Sequence, residues 1–295
     1  LVLGSGPIKI GQAAEFDFSG SQAVRALRED GYEVILVNSN PATIQNDPEM
    51  ADKVYIEPLL SSSIKRILEI EKPCALLAGM GGQTALNIAS ELAHSGVLDE
   101  LDVELIGSDL DAIDKAEDRD LFNKVCNSIN LPISEAIACK SMEEVISASQ
   151  QIGTWPLLIR PAFTLGGLGG GTAWNVGELV EIATLGLRNS RINQVLIEES
   201  ILGWQELEYE VMRDEADNAI IVCTMENIDP MGVHTGESTV VAPLQSFSDQ
   251  DHQILRDQAL RLIRALNIKG GCNVQFAFNQ FTGEIRVIEV NPRVS

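Results

Sequence analysis

The residues whose types and spacing could do chemistry lie closest together in a hairpin predicted from Cys272 to Asn291. Side chains two apart along a strand share a face, so Val287, Glu289 and Asn291 are predicted to point the same way. A glycine in the stretch 281–283 favours a chain reversal there. A roughly symmetric hairpin would then set Gln275 opposite Glu289.

Gln275, Glu289 and Asn291 would together offer one carboxylate and two amides on one face of this hairpin. All three side chains carry oxygen ligands, and Mg²⁺ is usually held by one or two carboxylates plus nucleotide phosphates. The pattern therefore indicates a magnesium site. A polar, solvated face of an edge hairpin is the alternative interpretation.

A glycine-rich loop, FTLGGLGGGTAWN, is the second candidate site, with five glycines in the six positions from 166 to 171. Ordering glycine costs conformational entropy, so such a run is a poor choice for a purely structural turn. Its backbone N–H groups could close around phosphate oxygens as a lid, with Arg160 as a nearby cation. A floppy surface loop is the alternative.

Other polar stretches give weaker signals. GSGPIKIGQ lacks the dinucleotide-fingerprint spacing, with no helix predicted where that motif needs one, and Gln12-Ala13 stands where a P-loop has Lys-Ser/Thr. A structural turn and a ligand loop both stay open there. The alternating carboxylates of QELEYEV are typical of a solvated strand face, and His234 lies in a loop where histidine is more often structural.

The charge of the chain excludes several classes of partner. Its 295 residues carry 43 acidic and 21 basic side chains, a formal net charge of −22. Such a surface repels nucleic-acid backbone and anionic membrane, so neither is expected as a partner. Any anionic ligand must be held by local cations or backbone N–H groups.

The cysteines and the chain ends give further expectations. The five cysteines form no C-x-x-C pair. We therefore expect reduced, mostly buried thiols in a cytoplasmic protein. The sequence shows no membrane-spanning apolar stretch and no signal peptide. Because the chain opens on Leu1 without a Met and stops at Ser295, we expect a fragment of a longer polypeptide.

Three segments are predicted to position the candidate residues. Residues 1–110 alternate strands and helices, which favours a parallel sheet with ligands at the carboxyl ends of its strands. Residues 111–197 are predicted to be a small α+β domain, and residues 198–295 to be mostly β.

Helices are predicted over Ser21–Asp30, Ser61–Glu71 (capped by its serines), Ser108–Asn130 (carrying Arg119), Met142–Ile152 and Asp249–Leu266.

Taken together, these stretches resemble a known family. In order, they are GPIKIGQAAEFDFSGSQA, NSNPATIQNDPEMAD, MGGQTALN, KAEDR, IRPAFTLGGLGGG, GWQELEYEV, PMGVHTGES, NVQFAF and VIEVNPRVS. They are similar, over nearly the whole chain, to the large subunit of carbamoyl-phosphate synthetase. The pairing of MGVHTGES with NPRVS is closest to its amino-terminal half, which makes carboxyphosphate. The resemblance implies a Rossmann-like pre-ATP-grasp domain (1–110) before an ATP-grasp domain, with a lid subdomain (111–197) and an incomplete C-terminal subdomain (198–295).

The resemblance also implies roles for particular residues, each taken from a matching motif. Arg119 and Arg160 match phosphate-contacting arginines, and Arg293 matches one that binds bicarbonate or carboxyphosphate. The remaining matches are Gly166 and Gly167 (lid glycines on ATP), Glu199 and Ile201 (main chain at the adenine edge), Glu206 (ribose and a nearby potassium site), Gly232, Val233 and His234 (a nucleotide-contacting loop), and Gln275, Glu289 and Asn291 (metal ligands).

The implied reaction is phosphorylation of bicarbonate by ATP, with Mg²⁺ or Mn²⁺ as cofactor and K⁺ as a further candidate. In the family this reaction belongs to carbamoyl phosphate synthesis for arginine and pyrimidines. Ammonia comes from a glutamine amidotransferase subunit, and a second synthetase half completes the enzyme. That half is absent here, so the activity of this piece alone is in doubt.

Three rival functions stay open at this point. A biotin carboxylase also makes carboxyphosphate, but its lid and front-domain motifs do not match these. A dinucleotide-binding oxidoreductase domain would rest on residues 1–110, against the broken glycine spacing. A non-catalytic nucleotide-binding module would have kept the fold without turnover.

Overall fold

The computed structural model describes residues 1–6, 12–161, 170–190, 193–231 and 238–294. Its strands are β1 (Val2–Leu3), β2 (Ile35–Val37), β3 (Lys53–Tyr55), β4 (Ala75–Leu77), β5 (Glu104–Ile106), β6 (Ala136–Cys139), β7 (Leu157–Pro161), β8 (Gly171–Ala173), β9 (Val195–Glu199), β10 (Gln205–Arg213), β11 (Ala219–Pro230), β12 (Val240–Val241), β13 (Gly270–Phe278) and β14 (Ile285–Asn291). Its helices are α1 (Gln12–Glu29), α2 (Ser61–Glu71), α3 (Gly82–His94), α4 (Val97–Glu100), α5 (Leu110–Glu117), α6 (Arg119–Ser128), α7 (Met142–Ile152), α8 (Val176–Asn189) and α9 (Asp249–Ala265), with a 3₁₀ turn at Ile44–Asn46.

The first sheet is parallel, in the order β3-β2-β1-β4-β5. Its central strands β1 and β2 are short, apolar and buried, and Leu3, Leu36 and Leu76 of β1, β2 and β4 are completely inaccessible. Parallel strands need crossover helices, and burial on both faces explains their continuous apolar runs. The predicted parallel sheet is therefore confirmed.

Glycines at the carboxyl edge of this sheet are needed for close packing. A Cβ at Gly81, between β4 and α3, would lie 2.5 Å from the carbonyl oxygen of Leu3. The chain after β14 meets the same edge, where the Val294 N–H donates to the Gly79 carbonyl at 3.1 Å. The first sheet thus contacts the predicted hairpin end of the chain.

The second sheet is antiparallel, in the order β6-β9-β7-β8. Helices α7 and α8 cover one face through an apolar core that includes Val145, Leu157, Leu179 and Ile197. Strand β7 carries Arg160 and strand β9 ends at Glu199. This small sheet therefore presents two of the expected site residues near the ends of its two central strands.

The third sheet is also antiparallel, in the order β12-β11-β10-β13-β14. Its apolar face packs on α9, where Tyr209 and Phe276 are completely buried with Leu255 and Leu262. The opposite face carries the polar side chains of β10, β13 and β14. This sheet contains the predicted hairpin, with Gly283 at φ +74° in its turn.

Three helix predictions were wrong in detail. Helix α1 begins at Gln12, not Ser21, so a helix does start directly after the first glycine loop. Helix α2 has Leu60 as its N-cap residue, with no side-chain cap hydrogen bond from a serine. The helix expected from Ser108 to Asn130 is two helices, because the Asp118 backbone leaves helical geometry and its side chain caps α6 by accepting from the Leu121 N–H.

Other predictions agree closely with the structure. Helix α7 has its expected bounds, and α9 ends one residue before the prediction. Among the cysteines, Cys126, Cys139 and Cys272 are buried and Cys74 is exposed, all as free thiols. In the part of the chain that the structure describes, no helix combines the length and the apolar character needed to cross a bilayer. The division at 110 and 197 stays a prediction.

Candidate functional site

A cleft of about 460 Å³ lies between the second and third sheets and the start of α6. Its lining includes Arg119, Arg160, Glu199, Ile201, Glu289 and Asn291. All six were expected at a site from the sequence. Hence residues from the second and third predicted segments, 111–197 and 198–295, meet at one cavity.

The register of the hairpin brings the predicted metal ligands together. Gln275 on β13 pairs with Glu289 on β14, as predicted. The Nδ2 of Asn291 donates to Oε1 of Glu289 at 3.2 Å, so these two side chains share a face. The donor set of one carboxylate and two amides fits a hard cation such as Mg²⁺.

The prediction that side chains alternate strictly along β14 was wrong, because the strand contains a β-bulge. The pairing shifts between Gln275–Glu289 and Phe276–Val287, which leaves Ile288 as the extra residue. Val287 is therefore buried in the core while Glu289 is exposed on the other face. The bulge lets one strand supply both a core residue and a candidate ligand.

Arg293 lies beside the hairpin ligands. Its Nη2 donates to Oδ1 of Asn291 at 3.3 Å, and its guanidinium lies over the Phe16 ring of α1 at 5.4 Å. The contact combines a cation with an aromatic face, which attract each other. A residue of the first domain thus supports the arginine expected to bind the small anionic substrate.

Arg119 and Arg160 converge on one carboxylate that the sequence argument had not selected. Arg119 Nη2 lies 2.9 Å from Oε1 of Glu198, and Arg160 Nε lies 2.9 Å from its Oε2. Glu198 is 2% exposed, whereas about half of each arginine side chain is accessible. The Arg119 contact is an ion pair without hydrogen-bond geometry, since Oε1 has no hydrogen-bond partner among the described residues. A buried anion therefore holds two half-exposed cations at the cleft.

The loop after β9 forms another wall of the cleft. The Glu199 N–H donates to the Glu135 carbonyl at 2.8 Å, and the Trp204 N–H donates to the Ile201 carbonyl at 3.1 Å. Within the described residues, the Ile201 N–H makes no backbone hydrogen bond. A main-chain donor at the cleft is thus available to a planar ligand.

The row of carboxylates on β10 was wrongly interpreted as a solvated face. Glu206 is 6% exposed and Glu208 is 3% exposed, on a central strand that pairs with β11 on one side and β13 on the other. Asn273 on β13 donates from Nδ2 to Glu208 at 2.8 Å and to Glu210 at 2.6 Å. An amide buried between carboxylates offsets part of the cost of burying them.

Glu226 on the neighbouring strand β11 is a further buried carboxylate, at 2% exposure. Burial opposes its ionisation, but hydrogen bonds from Ser246, the Gln245 and Ser246 backbone and the Gln205 side chain outweigh that effect and lower the pKa of Glu226. It therefore anchors the segment before α9 as an anion.

Several expected residues lie outside the described part of the chain. These are Gly166 and Gly167 of the glycine-rich loop and Gly232, Val233 and His234 of the loop MGVHTGES. Glu206, Gln275 and Arg293 are described but do not line the cleft itself, although Arg293 contacts the lining residue Asn291. Within the described ranges, no group of three His, Cys, Asp or Glu side chains is placed to hold a metal, and the hairpin set has a single carboxylate.

Three residues at or near the site were not predicted from the sequence, namely Glu198, Asn273 and Arg286. Glu198 and Glu199 are consecutive on a strand and so face opposite sides, which was a usable signal for two separate roles. Asn273 belongs to the hairpin face already selected. Nothing in the sequence pattern marks Arg286, because its partners lie far away along the chain.

Comparison with known proteins decides the family. Residues 118–295 match the family model described as carbamoyl-phosphate synthase L chain, ATP binding domain, and residues 1–115 match the carbamoyl phosphate synthase preATP-grasp domain. The chain belongs to the carbamoyl-phosphate synthase large-chain family. The expected pre-ATP-grasp and ATP-grasp domains are thereby confirmed.

Curated relatives of this family cover the whole chain. The large chain of carbamoyl phosphate synthase from Methanothermobacter thermautotrophicus is 60% identical over 296 residues, and that from Methanothrix thermoacetophila is 59% identical over 295. All of this chain is covered, but only 28% and 27% of those two relatives. The chain thus spans little more than a quarter of the relatives that it matches.

Solved structures with this fold include other ATP-grasp enzymes. A biotin carboxylase from Campylobacter jejuni superposes with a TM-score of 0.75 at 17% identity, covering all of this chain and 65% of that one. Phosphoribosylglycinamide synthetase from Anaerococcus prevotii gives 0.70 at 14%, covering all of this chain and 67% of that one. At such identities the likeness shows the fold alone, and the carbamoyl-phosphate synthase large-chain family is the assignment that sequence identity supports.

Proposed function

We propose that this chain carries the site at which a carbamoyl-phosphate synthase large chain phosphorylates bicarbonate with ATP. The observation that supports this most is the shared cleft, where the arginines bridged by Glu198 and the hairpin ligands Glu289 and Asn291 meet. Cations on one side and oxygen ligands on the other suit a triphosphate with a bound metal.

The reaction is a transfer of the γ-phosphoryl group. A bicarbonate oxygen attacks the γ-phosphorus, the bond to the β-phosphate oxygen breaks, and carboxyphosphate and ADP are formed. Arg119 and Arg160 neutralise charge that spreads over the transferred group, and Arg293 holds the bicarbonate. When bound at Gln275, Glu289 and Asn291, Mg²⁺ or Mn²⁺ supplies charge neutralisation at the phosphates.

The other expected residues complete this proposal. The main chain of Glu199 and Ile201 contacts the adenine, and Glu206 serves the ribose and a nearby K⁺ site. Gly166 and Gly167 close over the phosphates and exclude water, which would hydrolyse carboxyphosphate. Gly232, Val233 and His234 add a further nucleotide contact.

The whole enzyme extends beyond this chain. In it, ammonia from a glutamine amidotransferase subunit displaces phosphate from carboxyphosphate to give carbamate, and a second synthetase half phosphorylates the carbamate. We place this reaction in the cytoplasm, in keeping with the free thiols. Nucleic acid and membrane are not among the proposed partners.

ADP release from Mg-ATP, measured with and without bicarbonate, tests the proposed function. The measurement uses this chain and a version extended to the length of its relatives. Bicarbonate should stimulate ADP release in the extended chain without ammonia. Glu289→Gln should abolish the metal-dependent release without lowering the melting temperature, because it removes a charge and keeps the shape. An extended chain that binds ATP but ignores bicarbonate would contradict the proposal.

A further inference from the structure

Arg286 of β14 makes a two-pronged ion pair across the cleft boundary. Its Nε donates to Oε2 of Glu199 at 3.1 Å and its Nη2 donates to Oε1 at 3.0 Å. Both side chains are largely buried, at 18% and 13% exposure. Such paired contacts fix the relative orientation of the two planar groups as well as their distance.

The same guanidinium also contacts the far end of the loop after β9. It lies over the ring of Trp204, with its central carbon 5.5 Å from the ring centroid. The Trp204 carbonyl in turn accepts from the Met231 N–H at 2.8 Å. One side chain of the third sheet therefore touches both the first and the last residue of the stretch 199–204.

Besides Arg286, backbone hydrogen bonds anchor the start of this stretch, where the Glu199 and Ser200 N–H groups donate to the Glu135 and Pro156 carbonyls at 2.8 and 3.3 Å. Leu202 is 50% exposed, and its N–H donates to the Ser200 hydroxyl at 3.3 Å. The turn is closed by the Trp204 N–H to the Ile201 carbonyl. An exposed turn of this kind has many accessible conformations unless its ends are held.

We propose that Arg286 is a positioning residue for the nucleobase, holding the stretch 199–204 so that its main chain meets the adenine edge. The inference rests on the proposed function, in which Glu199 and Ile201 read the base. Arg286 touches no reacting atom. Its role is to fix the main-chain groups of the loop before ATP arrives, so that binding does not have to order them.

The test compares Arg286→Met with Arg264→Met in this chain. Arg264 lies on α9, away from the cleft, and its Nε donates to both carboxylate oxygens of Asp217 at 3.1 Å. Its substitution therefore provides a control for the loss of an ion pair. Dissociation constants are measured by calorimetry for Mg-ATP, Mg-GTP and inorganic tripolyphosphate. Tripolyphosphate presents the phosphates without a base.

Arg286→Met should weaken ATP binding about tenfold and reduce the preference for ATP over GTP by a similar factor, since a misplaced main chain no longer reads the base edge. Tripolyphosphate affinity should be unchanged, which a general loss of folding would not allow. Arg264→Met should leave all three affinities unchanged. Arg286→Lys should restore little of the loss, because an ammonium cannot form the paired contact.

Two failures can be told apart. If the wild-type chain binds tripolyphosphate as tightly as ATP, the base-reading site and the proposed function both fail. If the wild type prefers ATP and Arg286→Met keeps that affinity and preference, the positioning role of Arg286 is overturned while the proposed function stands.

Discussion

Glu198 shows how a single buried charge can organise an anion-binding cleft. In a chain of net charge −22, the two cleft arginines need to be held in place before an anionic ligand arrives. Glu198 contacts both of them from a site that is 2% exposed. A carboxylate in this position costs desolvation, which the two cations offset. The arginines keep about half of their surface free for a ligand.

Glu198→Gln should therefore weaken the phosphate end of the site. The amide keeps the shape but holds the two guanidinium groups less strongly, and a lost charge-assisted contact is worth about 1.5–3 kcal/mol. We expect tripolyphosphate and ATP affinities to fall together by roughly tenfold to a hundredfold, since about 1.4 kcal/mol corresponds to a factor of ten. Glu215→Gln, at an exposed pair with Lys269, is the control and should change neither. Unaltered tripolyphosphate binding in Glu198→Gln would contradict the role.

At the scale of elements, the hairpin shows what a sequence pattern can and cannot predict. A roughly symmetric hairpin predicted the pairing of Gln275 with Glu289, and the pairing holds because the bulge shifts the register by one residue beyond Phe276 and Val287. The sequence pattern could not predict the bulge at Ile288, since an inserted residue changes no residue type in it. The break at Asp118 was missed for a similar reason, because strong helix formers on both sides conceal a cap residue.

Deleting Ile288 should make β14 regular without moving Glu289. Val287 would still pair with Phe276, and Glu289, then its direct neighbour, would still pair with Gln275 on the polar face. We therefore expect Mg²⁺-dependent ATP binding to be kept, as measured by calorimetry with and without Mg²⁺. Glu289→Gln, which keeps the bulge, should lose the metal dependence. A deletion variant that loses Mg²⁺-dependent binding at an unchanged melting temperature would show that the bulge itself sets the metal site.

Strand β11 carries a pH-dependent anchor in Glu226. Its pKa in the folded chain lies below the ordinary value of 4.5, so its contribution to stability is present above that value and is lost as the pH falls through the folded pKa. Glu226→Gln should therefore lower stability at neutral pH and flatten the acid limb of the stability curve below about pH 4.5. Urea unfolding at several pH values measures this. Parallel acid limbs in both proteins would count against the anchor.

For the whole molecule, the sequence predicted a segment of alternating strands and helices, an α+β segment and a mostly β segment, but not the contacts between them. Local alternation of strands and helices is enough to indicate a parallel first sheet. Contacts such as Arg286 with Glu199, or Arg293 with Phe16, join residues far apart along the chain and leave no local signal. They follow from the packing of the sheets against each other. Those long-range contacts connect the first sheet and the second sheet to the hairpin.

Phe16→Leu tests whether the first domain supports the site. Leucine keeps the apolar volume beside Gly82 but removes the aromatic face under the Arg293 guanidinium, an attraction worth about 0.5–2 kcal/mol. In a chain of the relatives' length, we expect KM for bicarbonate to rise about threefold to tenfold, with KM for ATP unchanged. Phe18→Leu on the same helix is the matched control, because Phe18 is 68% exposed.

If the KM values for bicarbonate and ATP rise together in Phe16→Leu, the substitution acts through general packing. If neither KM changes, Arg293 does not need the ring. A selective rise would mean that the pre-ATP-grasp domain takes part in binding the smallest substrate, which explains why the two domains pack edge to edge at the end of β14.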